Sequence, residues 1–257
     1  MLGRKKLLIA LLTLPALASF SSRASESVKL DRLPIEANAS DHLVSLQRGA
    51  HAYVNYCFGC HSASYMRYNR LRDLGLTEQQ IKSNLIFADV KVGDLMTNAM
   101  DRRSAKEWFG TAPPDLTVIA RARSSGAGSG GDWLYTYLRS FYRDPSRPTG
   151  WNNVVFPNVG MPHVLYQLQG VQALKTEEQT LPGGHKEQAR KLALEKPGTL
   201  SPLEYNRMAA DLANFLVYMG EPSRQSRVAV GIYVLMFLGA LFVLAFALKK
   251  EYWKDVH

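Results

Sequence analysis

Cysteine is almost absent from this chain: Cys57 and Cys60 are the only two in 257 residues, and both lie in the stretch NYCFGCHSASY. A bridge between residues three apart would close a tiny loop and remove little chain entropy. A zinc site needs four ligands, and there is no second cysteine pair. His42, His51, His163, His185 and His257 also show no His-x3–5-His spacing. A thioredoxin-like pair follows a strand in a βαβ pattern, whereas the residues before Cys57 have helical spacing.

Charge is absent from residues 228–248, VAVGIYVLMFLGALFVLAFAL, a run of twenty-one. At about 1.5 Å per residue a helix of that length covers roughly 30 Å, the thickness of a bilayer core. No polar face interrupts it, which excludes an ordinary amphipathic core helix. Arg224 and Arg227 precede the run, and Lys249, Lys250, Tyr252, Trp253 and Lys254 follow it. These flanks predict a membrane helix with a short basic tail on the cytoplasmic side.

Acid is absent from residues 1–24, which start with Arg4, Lys5 and Lys6, continue in an apolar run over 7–18 and end with Ser22 and Ala24. That pattern predicts a secretory signal peptide cut after Ala24. The apolar run, interrupted by Thr13 and Pro15, is too short to span a membrane. Loss of the segment lowers the formal charge from +9 to +5. No basic stripe interleaved with aromatics remains, which argues against nucleic acid as a partner. The expected organisation is signal peptide 1–24, exported domain 25–223, membrane helix 224–249 and cytoplasmic tail 250–257. The chain is thus expected to cross the cytoplasmic membrane once, with the domain outside, the tail inside and membrane lipid around the helix.

Strand signal and internal repeats are also scarce. SDHLVSLQRGAHAYVNYC predicts a helix capped by Ser40 or Asp41, with Leu43, Leu46, Ala50 and Val54 on one face. LTEQQIKSNLIF opens with Thr77 and Gln80 in capping-box positions. DWLYTYLRSFYRD predicts a helix with Leu134, Tyr137, Leu138 and Phe141 on one face. SPLEYNRMAADLANFLVYMGEP begins with Ser201, Pro202 and Glu204, a helix start. Its expected apolar face is Leu203, Met208, Leu212, Phe215 and Met219. Between these helices lie long loops, a short strand at most near Val154, and a polar insert read as a hairpin or surface excursion around Pro182, Gly183 and Gly184. Loops this long are unusual unless something else fills the core, and a large planar cofactor is one candidate.

Cys57, Cys60 and His61 satisfy C-x-x-C-H, the attachment motif of haem c, in which two thioethers fix the vinyl groups and the histidine reaches the iron. The sixth ligand then decides the chemistry. An open position permits oxygen or peroxide chemistry, whereas a methionine sulfur closes the iron and raises its potential. Met66 follows His61 too closely, Met208 and Met219 fit a core face, Met236 lies in the membrane run, and Met96 and Met100 are in reserve. Met161, in the stiff loop FPNVGMPHV, and His163, two residues later, both qualify.

The ordered elements CFGCHS, PPDLTVIARAR, GGDWLYTYLRSFY, PTGWN and NVGMPHV, followed by one C-terminal membrane helix, resemble the cytochrome c1 family, haem subunits of bacterial quinol–cytochrome c reductase. The resemblance covers nearly the whole mature chain. It implies a mainly α fold with a class I cytochrome c-like haem domain and long loops, plus the membrane helix. It implies one covalent haem c, with Met161 as the sixth ligand beside His61, Arg123 neutralising a propionate, and Pro114 and the segment Trp133–Tyr142 lining the pocket. The implied partners are cytochrome b, a Rieske iron–sulfur protein as donor and cytochrome c as acceptor, in a dimeric complex. A stripe of Ala229, Met236, Ala240 and Ala247 could face cytochrome b. The rival readings are a tethered donor to a terminal oxidase and a haem enzyme with an open distal site.

Overall fold

A computed structural model describes residues 28–35, 39–180 and 186–255. The expected signal peptide and the tip of the expected hairpin lie outside the described residues. In chain order the elements are α1 (Ala39–Tyr56), β1 (Ala63–Arg67), a 3-10 turn (Tyr68–Leu74), α2 (Glu78–Leu85), β2 (Leu95–Met96), α3 (Arg102–Phe109), α4 (Ile119–Ala122), α5 (Gly130–Arg139), β3 (Phe141–Arg143), β4 (Trp151–Asn153), α6 (Tyr166–Gln169), β5 (Gly170–Thr180), β6 (Lys186–Pro197), α7 (Pro202–Gly220) and α8 (Arg224–Tyr252).

Helices carry the architecture, and α1, α5 and α7 form its centre. Tyr53, Leu71, Leu74, Ile81, Met96, Tyr205, Leu212 and Phe215 are fully buried in one core. α1 and α7 meet at Gly49, where a Cβ would stand 2.1 Å from the Asp211 carbonyl oxygen; only glycine allows so close an approach. Asp211 is buried at this crossing. Its carboxylate accepts from Ser45 Oγ at 2.6 Å and from Arg48 Nε at 2.6 Å, which satisfies a charge that would otherwise be costly to bury. Tyr205 Oη donates to the Leu138 carbonyl at 2.8 Å and ties α7 to α5.

The capping boxes hold as expected. Thr77 accepts from Gln80 N, and Ser201 accepts from Glu204 N with Pro202 in the first turn. Leu46, Ala50 and Val54 are buried on α1, and Leu212, Phe215 and Met219 on α7.

Three expectations need correction. Leu43 and Leu203 are exposed, near the starts of their helices. α1 begins at Ala39, ahead of the expected caps. α5 ends at Arg139, and Phe141 belongs to β3 rather than to the helix face. Here Ser140 N bonds the Tyr137 carbonyl in a tight turn, and Asn153 Nδ2 takes the same carbonyl at 2.8 Å. These bonds close the helix end and start the β3–β4 pair, in which Phe141 faces Asn153. The strand expected near Val154 is therefore Trp151–Asn153. In addition, α3 was not expected. It is capped by Asp101, which accepts from Ser104 N, and it buries only Ala105, while Trp108 and Phe109 on the same face stay exposed.

The polar insert is a hairpin. β5 and β6 pair antiparallel from Gly170 opposite Pro197 to Thr180 opposite Lys186. At about 3.4 Å per residue, the eleven residues of β5 extend roughly 37 Å. Its base is pinned by Gln172 Nε2, which donates to the carbonyls of Arg139 and Phe141, each at 2.9 Å.

At the far end, Glu221 sits between α7 and α8 and pairs with Arg121 at 2.9 Å and with Arg227. Among the described residues, one helix is long and apolar enough to cross a membrane, residues Ser226–Tyr252. Its large apolar side chains are exposed along its length.

Candidate haem site

α1 delivers both cysteines at its C-terminal end. The chain turns tightly there: Cys60 N and His61 N both bond the Cys57 carbonyl, at 3.1 and 2.8 Å. Cys57 is buried, Cys60 is exposed, and the two thiols are not bridged. Burial, with Cys60 nearby, pushes the Cys57 thiol up to about 12.

His61 is half-buried, and its Nδ1 lies 2.7 Å from the Pro114 carbonyl oxygen. A carbonyl can only accept, so Nδ1 carries the proton and Nε2 keeps its lone pair. Burial lowers the imidazole pKa, against the opposing effects of the Pro114 bond and the Asp115 charge. The ring is thus a neutral donor with one nitrogen held by the backbone, the arrangement that orients a metal-binding histidine. Asp115 supports the loop by accepting from Ser64 N at 2.7 Å and from Thr117 N at 2.8 Å. Pro114 itself is exposed, and its carbonyl is what holds the imidazole.

Met161 lies elsewhere, in a cluster built from β3, β4 and the loop that follows. It packs on Phe141, Trp151 and Val159, and Tyr137 Oη donates to its sulfur at 3.5 Å. Burial pushes the Tyr137 phenol well above its usual range, which keeps it a neutral O–H donor. Arg123 places its guanidinium over the Trp133 ring at 4.5 Å and the Phe156 ring at 5.1 Å, and among the described residues it makes no ion pair. Trp133 stacks on Tyr137 at 4.8 Å, so Arg123, Trp133, Tyr137 and Met161 form one continuous set.

His163, the rival ligand, is buried and stacks on Phe141 at 4.8 Å, with the edge of Trp151 at 5.1 Å. Its Nε2 has no hydrogen-bond partner, and burial brings its pKa down to about 4. Met66, Met96 and Met219 are consumed by the core. Met100 is not: it lines two cavities beside the cysteine turn, of about 100 and 530 Å³, the first also lined by Cys60 and the second by Phe58 and Gly59. Neither cavity is lined by His61, Met161 or Arg123. Direct contacts join the cysteines, His61 and Pro114 in one group, and Arg123 and Met161 in another through Trp133 and Tyr137. Tyr137 was expected only as a helix-face residue within the segment Trp133–Tyr142, with no role toward Met161, and Asn98 went unmarked in the sequence. Asn98 fixes the turn, taking the Phe58 carbonyl at 2.8 Å and the Ser62 hydroxyl at 3.0 Å, and no spacing signals such a role.

The donor chemistry fits haem: two unbridged thiols on one turn, an imidazole with a free Nε2, and a thioether in aromatic surroundings. Three or more histidine, cysteine or acidic side chains do not cluster anywhere among the described residues, so a metal held by such side chains alone has no support. The fold and the donor set define an electron-transport haem protein carried on a membrane helix. The sequence profile of the Cytochrome C1 family matches residues 38–256. The chain is 50% identical to "Cytochrome c1" of Allochromatium vinosum, over 99% of this chain and 100% of that protein. It is 48% identical to "Ammonia monooxygenase gamma subunit" of Nitrosomonas europaea, over 98% of each. With "Cytochrome b/c1" of Bradyrhizobium diazoefficiens it shares 26% identity, over 83% of this chain and 33% of the longer protein. The chain belongs to the cytochrome c1 family, and with it to membrane-anchored haem proteins of electron transport.

Proposed function

We propose that this protein is the haem subunit of a bc1-type complex, taking one electron at a time from a Rieske iron–sulfur protein and passing it to a cytochrome c. The observation that carries the reading is the His61 ring held at Nδ1 by Pro114 beside two unbridged thiols. Bound there, haem supplies a one-electron ferric/ferrous couple. Cys57 and Cys60 would anchor it through thioethers, and His61 Nε2 and Met161 Sδ would hold its iron. Arg123, on the face of Trp133, would offset a propionate. A neutral thioether in aromatic surroundings favours the less charged ferrous form and so raises the potential. With both donors on the iron no position would be left for a substrate, which would disfavour the enzyme reading. The exported domain, residues 25–223, would face the periplasm, with cytochrome b packed on α8 in a dimeric complex and residues 250–257 in the cytoplasm.

Isolation in mild detergent tests the assignment. Co-purification with b-type haem and a Rieske centre, with quinol-dependent cytochrome c reduction, is the expected result. A protein that emerges alone, without that activity, returns the case to a tethered oxidase donor. Met161→Ala is expected to abolish the near-infrared methionine–iron band of the ferric protein, lower the potential and admit carbon monoxide, with haem still attached. Because Met100 lines the cavities beside Cys60, it is the second reading for the sulfur ligand. Loss of the band in Met100→Ala and not in Met161→Ala would select it.

A further inference from the structure

Tyr137 is the residue of α5 that meets the Met161 loop, with its hydroxyl 3.5 Å from Met161 Sδ. A thioether has no proton to give, so the phenol donates. The ring has little freedom to leave. It stacks on Trp133 at 4.8 Å and 12°, and meets Phe141 edge-on at 5.0 Å and 68°. Its backbone is held as well, because the Tyr137 carbonyl accepts from Asn153 Nδ2 at 2.8 Å. The neighbours are themselves fixed: Trp133 lies under Arg123 and Phe141 is stacked against His163. A side chain locked on two faces and at its backbone presents its hydroxyl to one place.

We propose that Tyr137 is a positioning residue that holds Met161 Sδ by this hydrogen bond and raises the reduction potential of a haem ligated by that sulfur; the proposal rests on Met161 being the sixth ligand. A thioether sulfur has two lone pairs, so one can go to iron while the other accepts the O–H. The donated proton turns the positive end of the O–H dipole toward the sulfur and withdraws electron density from it. Both effects weigh more heavily against the ferric state, which has the extra positive charge, than against the ferrous state. Hydrogen bonds around a haem ligand are an established means of setting potential, and the aromatic surroundings strengthen the effect by lowering the local dielectric.

The test uses the full haem-loaded chain in detergent, titrated against ambient potential with the near-infrared band recorded in the ferric form. Tyr137→Phe keeps both ring contacts and removes only the hydroxyl. It is expected to retain the methionine–iron band while the ferrous-to-ferric ratio at fixed ambient potential falls roughly two- to tenfold, the range of one neutral hydrogen bond. Tenfold corresponds to a shift of about −59 mV for one electron. Tyr166→Leu perturbs the outer edge of the same aromatic cluster, where it meets Trp151 at 6.0 Å away from Tyr137, and is expected to leave the potential near the wild-type value. An unchanged potential in Tyr137→Phe overturns the proposal, and so does an equal shift in Tyr166→Leu, which would trace the effect to packing. Met161→Ala separates the two levels. If the band persists there, the ligand assignment falls and the proposal with it. If the band is lost but Tyr137→Phe titrates like wild type, the ligand assignment stands and only the role of Tyr137 is refuted.

Discussion

At the α1–α7 crossing two helices of 18 and 19 residues meet backbone to backbone over Gly49, with the Asp211 carboxylate satisfied between them. Around Met161 nothing is long: β3 and β4 have three residues each and α6 has four. There the chain is held by stacked rings and asparagine side chains instead. The first region gains its stability from area and close approach, so damage to it should be global. The second fixes a few side chains by mutual contact, so damage should be local and show in the ligand environment before it shows in the fold.

The largest effect expected is from Gly49→Val. The blocking atom is a backbone oxygen that cannot swing aside, so the helices must part, at a cost of roughly 3 kcal/mol, the upper end for overpacking. Thermal denaturation of the detergent-solubilised protein measures it; a near-wild-type midpoint would mean the crossing is looser than described. Trp151→Leu comes next. It removes contacts to His163 and Tyr166 and the Arg143 guanidinium at 5.0 Å, and should cost about 1–3 kcal/mol. Unlike Gly49→Val, it should also weaken the methionine–iron band, and an intact band would erase the contrast between the regions.

A smaller change, of about 1 kcal/mol, is expected from Asp132→Asn at the start of α5. Burial pushes the Asp132 carboxyl up, but hydrogen bonds from Leu33 N and Ser129 more than offset it, and its pKa lies below the usual value. A depressed carboxylate contributes stability that is complete above its unfolded pKa of about 3.9 and is lost as pH falls through the folded value. The variant should therefore show a flatter stability curve below about pH 4, and an acid limb as steep as wild type would contradict this. The smallest effect belongs to Glu221→Gln, which loosens the clamp on Arg121 and Arg227. All three groups are at least partly exposed, so a few tenths of a kcal/mol and a salt-sensitive melting curve are expected. A salt-independent loss would show that the junction is buried in the assembled protein.

The same contrast explains what could be read in advance. Helices with caps and an apolar stripe, α2 and α7, were legible because Thr77, Gln80, Ser201 and Glu204 act on their own neighbours. The hairpin was legible as a polar insert, and its two strands pair as described, with the stretch around Pro182, Gly183 and Gly184 outside the described residues. α3 was not: Ala105, Trp108 and Phe109 have helical spacing, but eight residues hold only these three apolar side chains, and two of them stay exposed. The end of α5 was misread because Asn153, fourteen residues past Arg139, is what caps it. At the haem site, Cys57, Cys60 and His61 form a contiguous motif, but nothing near them in sequence points to Pro114, whose part is played by a carbonyl every residue possesses. Tyr137 was read as a helix-face residue, because spacing cannot tell a hydroxyl aimed at a sulfur from one aimed at water.

The hydrogen bond between His61 and Pro114 also has a consequence for how the site is put together. The two thiols arrive on one helical turn, the carbonyl that orients the ring is 53 residues further on, and the methionine loop comes later still. Loop closure grows harder with the length of chain to be closed. On the proposed ligand set, a nascent chain would present its cysteines long before it could aim its imidazole, and the thioether would be the last donor to be set. A maturing protein would accordingly pass from anchored to oriented to closed, with each stage readable by a different spectroscopic signature.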